Sequence, residues 1–329
     1  MLSPRWQGSV MGIRTEHPIV VHRRRDRPDI DDRRLAAEVK AGSVTRIVAG
    51  SFARTDEWQA LTPMNRHFTR VLEVADRARG PVVLMLNSAA AVHGMDRIGA
   101  WPDRVDVRIP RASGGRSSGA VRRHALGFDD VELMEWRGHL VTTPAQTALD
   151  LAAASQFRDA VIAIDQALWE RRKGGALTDV DALRALVDAT WRRGFRRVPA
   201  AIAFGTPLSD SVRESEGRVL LDRLGFPRPV LQKKFVLPNG RIARPDYYFE
   251  DFDHAAEFDG TGKYFDPDLL AGRTPQQALL EEKDRSDALR RMVSALSRWR
   301  TPAHLKPTLL YDILTADGLP SRLPRPRGH

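Results

Sequence analysis

Cysteine is absent from the 329 residues. Disulfides, thiolate metal sites and cysteine nucleophiles are therefore excluded. No uninterrupted apolar run reaches the ~20 residues that a membrane-spanning helix needs. No apolar signal core precedes the basic cluster Arg23-Arg24-Arg25, so the cytoplasm is the expected compartment, with no membrane partner. Acidic side chains are in deficit: 42 Asp and Glu stand against 52 Lys and Arg, a net charge of +10. A phosphate loop is missing too. Gly114-Gly115-Arg116-Ser117-Ser118-Gly119 lacks the Gly-Lys-Ser/Thr ending and the strand–loop–helix frame. No internal repeat is visible.

A hydrophobic fraction of 42% and seven Trp indicate a globular protein rather than a disordered one. The length suits two or three domains. The positive charge favours an anionic partner, nucleic acid first, with solubility as the plain alternative. Arginine far outnumbers lysine, which suits planar phosphate contacts or reflects base composition. Oligomeric state is not legible.

Residues 1–29 show little periodicity and read as a flexible basic arm. Residues 30–80 begin with a helix capped by Asp31 or Asp32 and stopped at Gly42. Val44 to Arg54 alternates as a hairpin turning at Gly50, with Arg46 and Arg54 as candidate nucleic-acid contacts. Pro63 to Ala78 carries a stripe of Phe68, Val71, Leu72 and Ala75, the mark of an amphipathic helix. Residues 81–207 read as an α/β middle domain. Pro81 to Leu86 is a buried-strand candidate, followed by a helix capped at Asn87 or Ser88. His93 reads as structural. Arg104 to Pro110 alternates as a strand. Arg122-Arg123-His124 is a basic knot, either a phosphate contact or an exposed strand edge. Leu140 to Ala152 gives strand, Thr cap, Pro and helix. Phe157–Glu170 and Asp179–Trp191 are two more helices, and Pro199 to Leu208 reads as a boundary. No constellation between Pro81 and Arg197 carries enzyme chemistry.

Residues 208–314 follow the order α-β-β-β-α-β. Ser211 opens a helix closed by Gly225. Arg228 to Leu237 reads as a strand, and Pro238-Asn239-Gly240 as a hairpin turn. Arg241 to Phe249 is the return strand, with a turn at Asp253-His254 before Ala255 to Asp259. A helix over Pro275–Arg291, a strand over Ala295–Arg300 and a helix over Leu305–Leu314 complete it. Residues 315–329 read as a disordered tail. Strand alternation places Glu257 and Asp259 on one face and Phe258 on the other, in a core. Asp246, Glu257 and Asp259 would repel one another, and a hard cation such as Mg²⁺ would relieve this with oxygen ligands.

Two resemblances follow. The helix with its basic two-stranded wing resembles the truncated winged-helix start of actinobacterial AbiEi-like antitoxins, and Leu140 to Ala152 resembles a segment of their middle region. This resemblance implies a DNA-binding antitoxin or regulator with DNA and a cognate toxin as partners. Ser211 to Leu314 resembles the PD-(D/E)XK nuclease core, especially its very-short-patch-repair-like branch. It implies a restriction-endonuclease-like fold and a metal-dependent DNA endonuclease with Mg²⁺ (or Mn²⁺). The positions carried over are Glu214, Asp246 (within Pro245-Asp246) and Glu257, with Asp259 as a further ligand. Asp259 stands where the family has Lys, and Lys263 fits the basic slot beyond it. Lys283 is a second possible donor, and Gln232 a possible phosphate contact. Both functions stay open on the sequence.

Overall fold

The computed structural model describes residues 5–6, 13–24, 32–114, 117–189, 197–260 and 274–327. The chain divides into two compact units, Met1–Pro207 and Leu208–His329. Together they form a mixed α/β protein with several small sheets.

The first unit runs β1 (Arg5–Trp6), β2 (His22–Arg23), α1 (Asp32–Lys40), β3 (Val44–Val48), β4 (Ser51–Arg54), α2 (Thr55–Ala60) and α3 (Pro63–Asp76). It continues with β5 (Val83–Leu84), α4 (Leu86–His93), β6 (Val105–Ile109), β7 (Val121–Ala125), β8 (Glu132–Trp136) and β9 (His139–Thr142). Four helices follow: α5 (Pro144–Ala154), α6 (Phe157–Leu168), α7 (Val180–Ala189) and α8 (Arg197–Phe204). A small antiparallel sheet has the order β2-β4-β3. Its turn falls at Gly50, whose φ of 69° suits glycine. Ile47, Val48, Ala53 and Trp58 form its core. A six-stranded mixed sheet has the order β1-β8-β9-β5-β6-β7, which leaves β7 on an edge. The α3 stripe is buried, and Thr62 caps that helix by accepting from Asn65 N–H.

One expectation in this unit is corrected. The N-cap of α4 is Met85; Asn87 and Ser88 lie inside the helix. The Ser88 hydroxyl accepts from Asp106 N–H instead (2.8 Å), so it is occupied by tertiary structure. Pro199 to Leu208, read as a boundary, holds the division between the two units after Pro207, while its first residues belong to α8, which buries Val198, Ala201 and Ile202. Pro199 stands in its first turn, where the missing N–H costs nothing.

The second unit runs α9 (Val212–Arg223), β10 (Phe235–Val236), β11 (Ile242–Ala243), β12 (Tyr247–Phe249), β13 (His254–Asp259), α10 (Pro275–Arg290), β14 (Ala295–Arg300), α11 (Thr301–Leu305) and α12 (Pro307–Ala316). β12 pairs antiparallel with β13, and β13 pairs parallel with β14. One face of this sheet (Tyr247, Phe249, Ala256, Phe258, Trp299) packs on Leu221 of α9 and on Leu310 and Leu314 of α12. The other face (Tyr248, Ala255, Leu296) packs on Leu289 of α10 and on Leu237 and Ala243. Gly217 lets α9 close on the sheet: a Cβ there would collide with the Tyr247 hydroxyl, which donates to Glu214 O (3.0 Å).

Four expectations here are corrected. Arg228 to Gln232 is no strand: Val230 makes a single bridge to Tyr248, and Gln232 takes a φ of 57°. The return strand breaks around Pro245, which has no N–H to donate, into β11 and β12. The turn after β12 is Glu250–Asp253, with Asp253 left-handed, so His254 begins a strand. His254 is buried, with Nε2 2.8 Å from Ser297 Oγ. Finally, the tail is packed as far as it is described. Leu319 is 1% exposed in the α9/α12 core, and the Tyr311 hydroxyl donates to Leu323 O (2.9 Å).

Candidate functional site

β13 places the candidate acids of the second unit. Glu257 and Asp259 point to the α10 face, and Phe258 packs in the opposite core. The parallel register sets Arg298 of β14 beside Glu257, so a guanidinium reaches both acids: 3.4 Å to Glu257 and 2.9 Å to Asp259. From α10, Arg285 donates to Glu257 Oε1 (2.8 Å) and to Glu282 (2.6 Å). Arg298 also donates to Glu282 (3.0 Å). The result is a network of three carboxylates and two guanidinium groups over a core strand. Glu257 is 4% exposed and depends on these cations. The hydrogen bonds to Glu282 and Glu257 hold the Arg285 guanidinium well above its ordinary range despite burial.

Asp246 precedes β12 and turns its carboxylate toward β13, accepting from Phe258 N–H (2.7 Å). Glu214 stands in the first turn of α9, capped by Ser211, and accepts from Asp210 N–H (2.9 Å). Burial, and then the negative charge of Asp246, push the Glu214 carboxyl up to about 8. Thus the fold brings Glu214 into the field of Asp246, and joins Glu257 and Asp259 through Arg298.

The four carboxylates offer the oxygen donors that Mg²⁺ prefers. They are not drawn together as a preformed metal cluster. Among the described residues, the grouping whose ligand atoms lie within 4.8 Å of one another is His17, Glu73 and Asp76, and not these acids. Glu257 already holds an arginine on Oε1, with a second 3.4 Å from Oε2. The His17 group likewise has a resident cation: Arg23 lies 2.6 Å from Glu73 and 2.5 Å from Asp76.

Lys263 lies outside the described residues. Lys283 is exposed on α10, while its acidic neighbours pair elsewhere, Glu281 with Arg241 and Glu282 with Arg285. Gln232 donates its amide to Leu208 O (3.2 Å). Arg46 is exposed on β3. Arg54 is exposed but bonded to Asp56 (2.7 Å). Arg122 and Arg123 lie on edge strand β7; Arg123 donates to Ser118 Oγ (3.1 Å) and Arg122 approaches the buried Asp106 (3.8 Å). Sequence reading missed Arg285 and Arg298 as partners of Glu257. Arg285 carried a signal, the i,i+3 spacing from Glu282. Arg298 carried none without the strand register.

Comparison with known proteins finds distant relatives. Two uncharacterized proteins of Mycobacterium tuberculosis, from strains CDC 1551 / Oshkosh and ATCC 25618 / H37Rv, are each 25% identical over 248 residues. The alignment covers 75% of this chain and 85% of each relative. No described helix is long and apolar enough to cross a membrane. Residues 82–198, reaching from β5 into α8, match the family described as AbiEi antitoxin C-terminal domain.

Proposed function

We propose that this chain is the DNA-binding, antitoxin-like member of a toxin–antitoxin pair, with a cognate toxin as its protein partner. The match of residues 82–198 to the AbiEi antitoxin C-terminal domain carries this reading. The net charge of +10 supports it, because the phosphate backbone dominates affinity for DNA. Residues 30–80 would act as the winged-helix-like contact region, with Arg46 on an exposed strand. Residues 208–314 would be a restriction-endonuclease-like core turned to recognition. The arginine clamp on Glu257 supports that role, since it sets protein cations where catalysis would need a metal.

A second reading is a Mg²⁺- or Mn²⁺-dependent endonuclease at Glu214, Asp246, Glu257 and Asp259, with Lys263 assisting. Glu257 Oε2, buried without a hydrogen-bond partner, favours it, as does the repulsion between Glu214 and Asp246. One experiment separates the two. The parent chain, Arg46→Gln and Asp246→Ala are mixed with duplex and plasmid DNA from about 50 to 200 mM salt, with Mg²⁺ or Mn²⁺. The antitoxin reading expects binding without cleavage, and a salt slope shallower by about 1 in Arg46→Gln. Cleavage by the parent that disappears in Asp246→Ala establishes the endonuclease instead. Salt-independent or absent DNA binding removes both.

A further inference from the structure

A cavity of about 460 Å³ opens between α4, the loop after it, β7 and the α5–α6 turn. Its volume falls within the ~300–1,000 Å³ typical of small-molecule sites. One wall is apolar, built from Leu86, Ala90, Met95, Ile98, Leu151 and Ile162. A basic end of the lining is drawn together by hydrogen bonds. Arg122 and His124 come from β7, and Arg97 from the loop. Asp106, fully buried, arranges this end: His124 Nε2 lies 2.9 Å from Oδ1, Arg122 lies 3.8 Å from the same oxygen, and Asn87 donates to Oδ2 (3.4 Å). Asn87 in turn accepts from Arg97 (2.9 Å). Arg122 thus lies near the buried carboxylate, Arg97 is tied to it through Asn87, and both guanidinium groups carry further N–H donors that a ligand could engage.

The backbone adds to this end. α4 starts here, and its N-cap Met85 provides no side-chain acceptor, so the first-turn N–H groups are not capped by a side chain. Leu86 sits in the left-handed region (φ 49°), a costly conformation for a leucine at a cavity wall. The loop is already pinned: Asp96 N–H donates to Gln166 (3.0 Å), and Arg172 donates to Gly94 O (2.8 Å). A site held in shape before binding loses less entropy when filled. Asp159 of α6 and Asp96 also line the cavity and offer acceptors for amino groups.

We propose that this cavity binds a nucleoside 5′-monophosphate. The phosphate would lie at Arg97, Arg122 and the α4 start, and the base against the apolar wall. The same chemistry is presented by a free nucleotide and by the 5′-phosphorylated end of a strand. The test is calorimetric titration of the full chain with adenosine 5′-monophosphate, adenosine, inorganic phosphate and a 5′-phosphorylated dinucleotide. The monophosphate binds once per chain, and adenosine and phosphate each bind at least about tenfold more weakly. Arg122→Gln, at an exposed side chain, weakens the monophosphate about tenfold or more. Ala154→Trp, at an exposed position on the cavity's rim, blocks it without touching a charge. Tighter binding of the dinucleotide than of the mononucleotide identifies a strand end as the source, and weaker binding a free nucleotide. The proposal is overturned if the monophosphate gives no heat, if neither variant changes its affinity, or if inorganic phosphate or adenosine binds as well.

Discussion

Glu214 is held protonated across neutrality by its surroundings. Burial comes first and the charge of Asp246 second, and together they push the carboxyl from its ordinary 4.5 up to about 8. Between those values the folded chain keeps a proton that the unfolded chain has lost. Stability from this site is therefore fully present below about pH 4.5 and declines as pH rises toward 8. Glu214→Gln keeps an acceptor for Asp210 N–H and carries no charge at any pH. Its melting temperature should exceed the parent's at about pH 8, and the gap should close near pH 4.5. A gap that does not vary with pH would mean Glu214 ionises normally. At this scale the sequence was informative about chemistry and silent about environment. Pro245-Asp246 and Glu257 were visible as acids. That Asp246 turns toward the Phe258 amide, and that Glu214 is buried beside it, depends on packing between distant segments. His93 was legible as structural, and it is buried with Nε2 2.8 Å from Thr142 O.

At the scale of elements, legibility followed locality. Thr143, read as a cap, and Ser211, read as opening a helix, each accept a bond from the amide three residues on, next to the helix they start. Strand pairing is non-local, and the expectations failed there: one long return strand became two short ones, and the partner of Glu257 came from β14. The β13–β14 register yields a prediction. Arg298 is mostly buried and serves Glu257, Asp259 and Glu282 at once. Arg298→Met keeps most of the volume, leaves Glu257 and Glu282 on Arg285, and takes the guanidinium from Asp259. It should destabilise the second unit by about 2–4 kcal/mol, short of the full cost of an unpaired buried charge because Arg285 remains. Adding Glu257→Gln should recover part of that loss, since one of the acids then needs no cation. Urea unfolding of the two single variants and the double variant measures the coupling. Strict additivity would show that the pair does not interact in solution.

At the scale of the whole molecule, length pointed to two or three domains and the element order to α/β, and the division after Pro207 gives each unit its own cores. The end of the chain was misread because Pro, Arg and Gly dominate it, a composition that suits disorder. A few residues outweigh that composition. Leu319 is 1% exposed among Leu310, Leu314 and Trp299. Arg322 N–H donates to Gly225 O (3.0 Å), and the Ser321 hydroxyl to Leu224 O (2.6 Å), so the tail returns to the end of α9. Burying a leucine contributes about 1.5–3 kcal/mol, and two backbone-anchored hydrogen bonds add about 1 kcal/mol each. A chain ending at Gly318 should therefore lose about 2–4 kcal/mol in the second unit, part of the sum being offset by the freedom the tail regains. Leu319→Ala in the full chain should account for most of that, about 2–3 kcal/mol. A chain ending at Arg327 should match the parent. Urea midpoints for the three chains decide the matter. If the Gly318 truncation unfolds at the parent's midpoint, the tail adds nothing to the core, and the disorder that its composition suggested is the better description in solution.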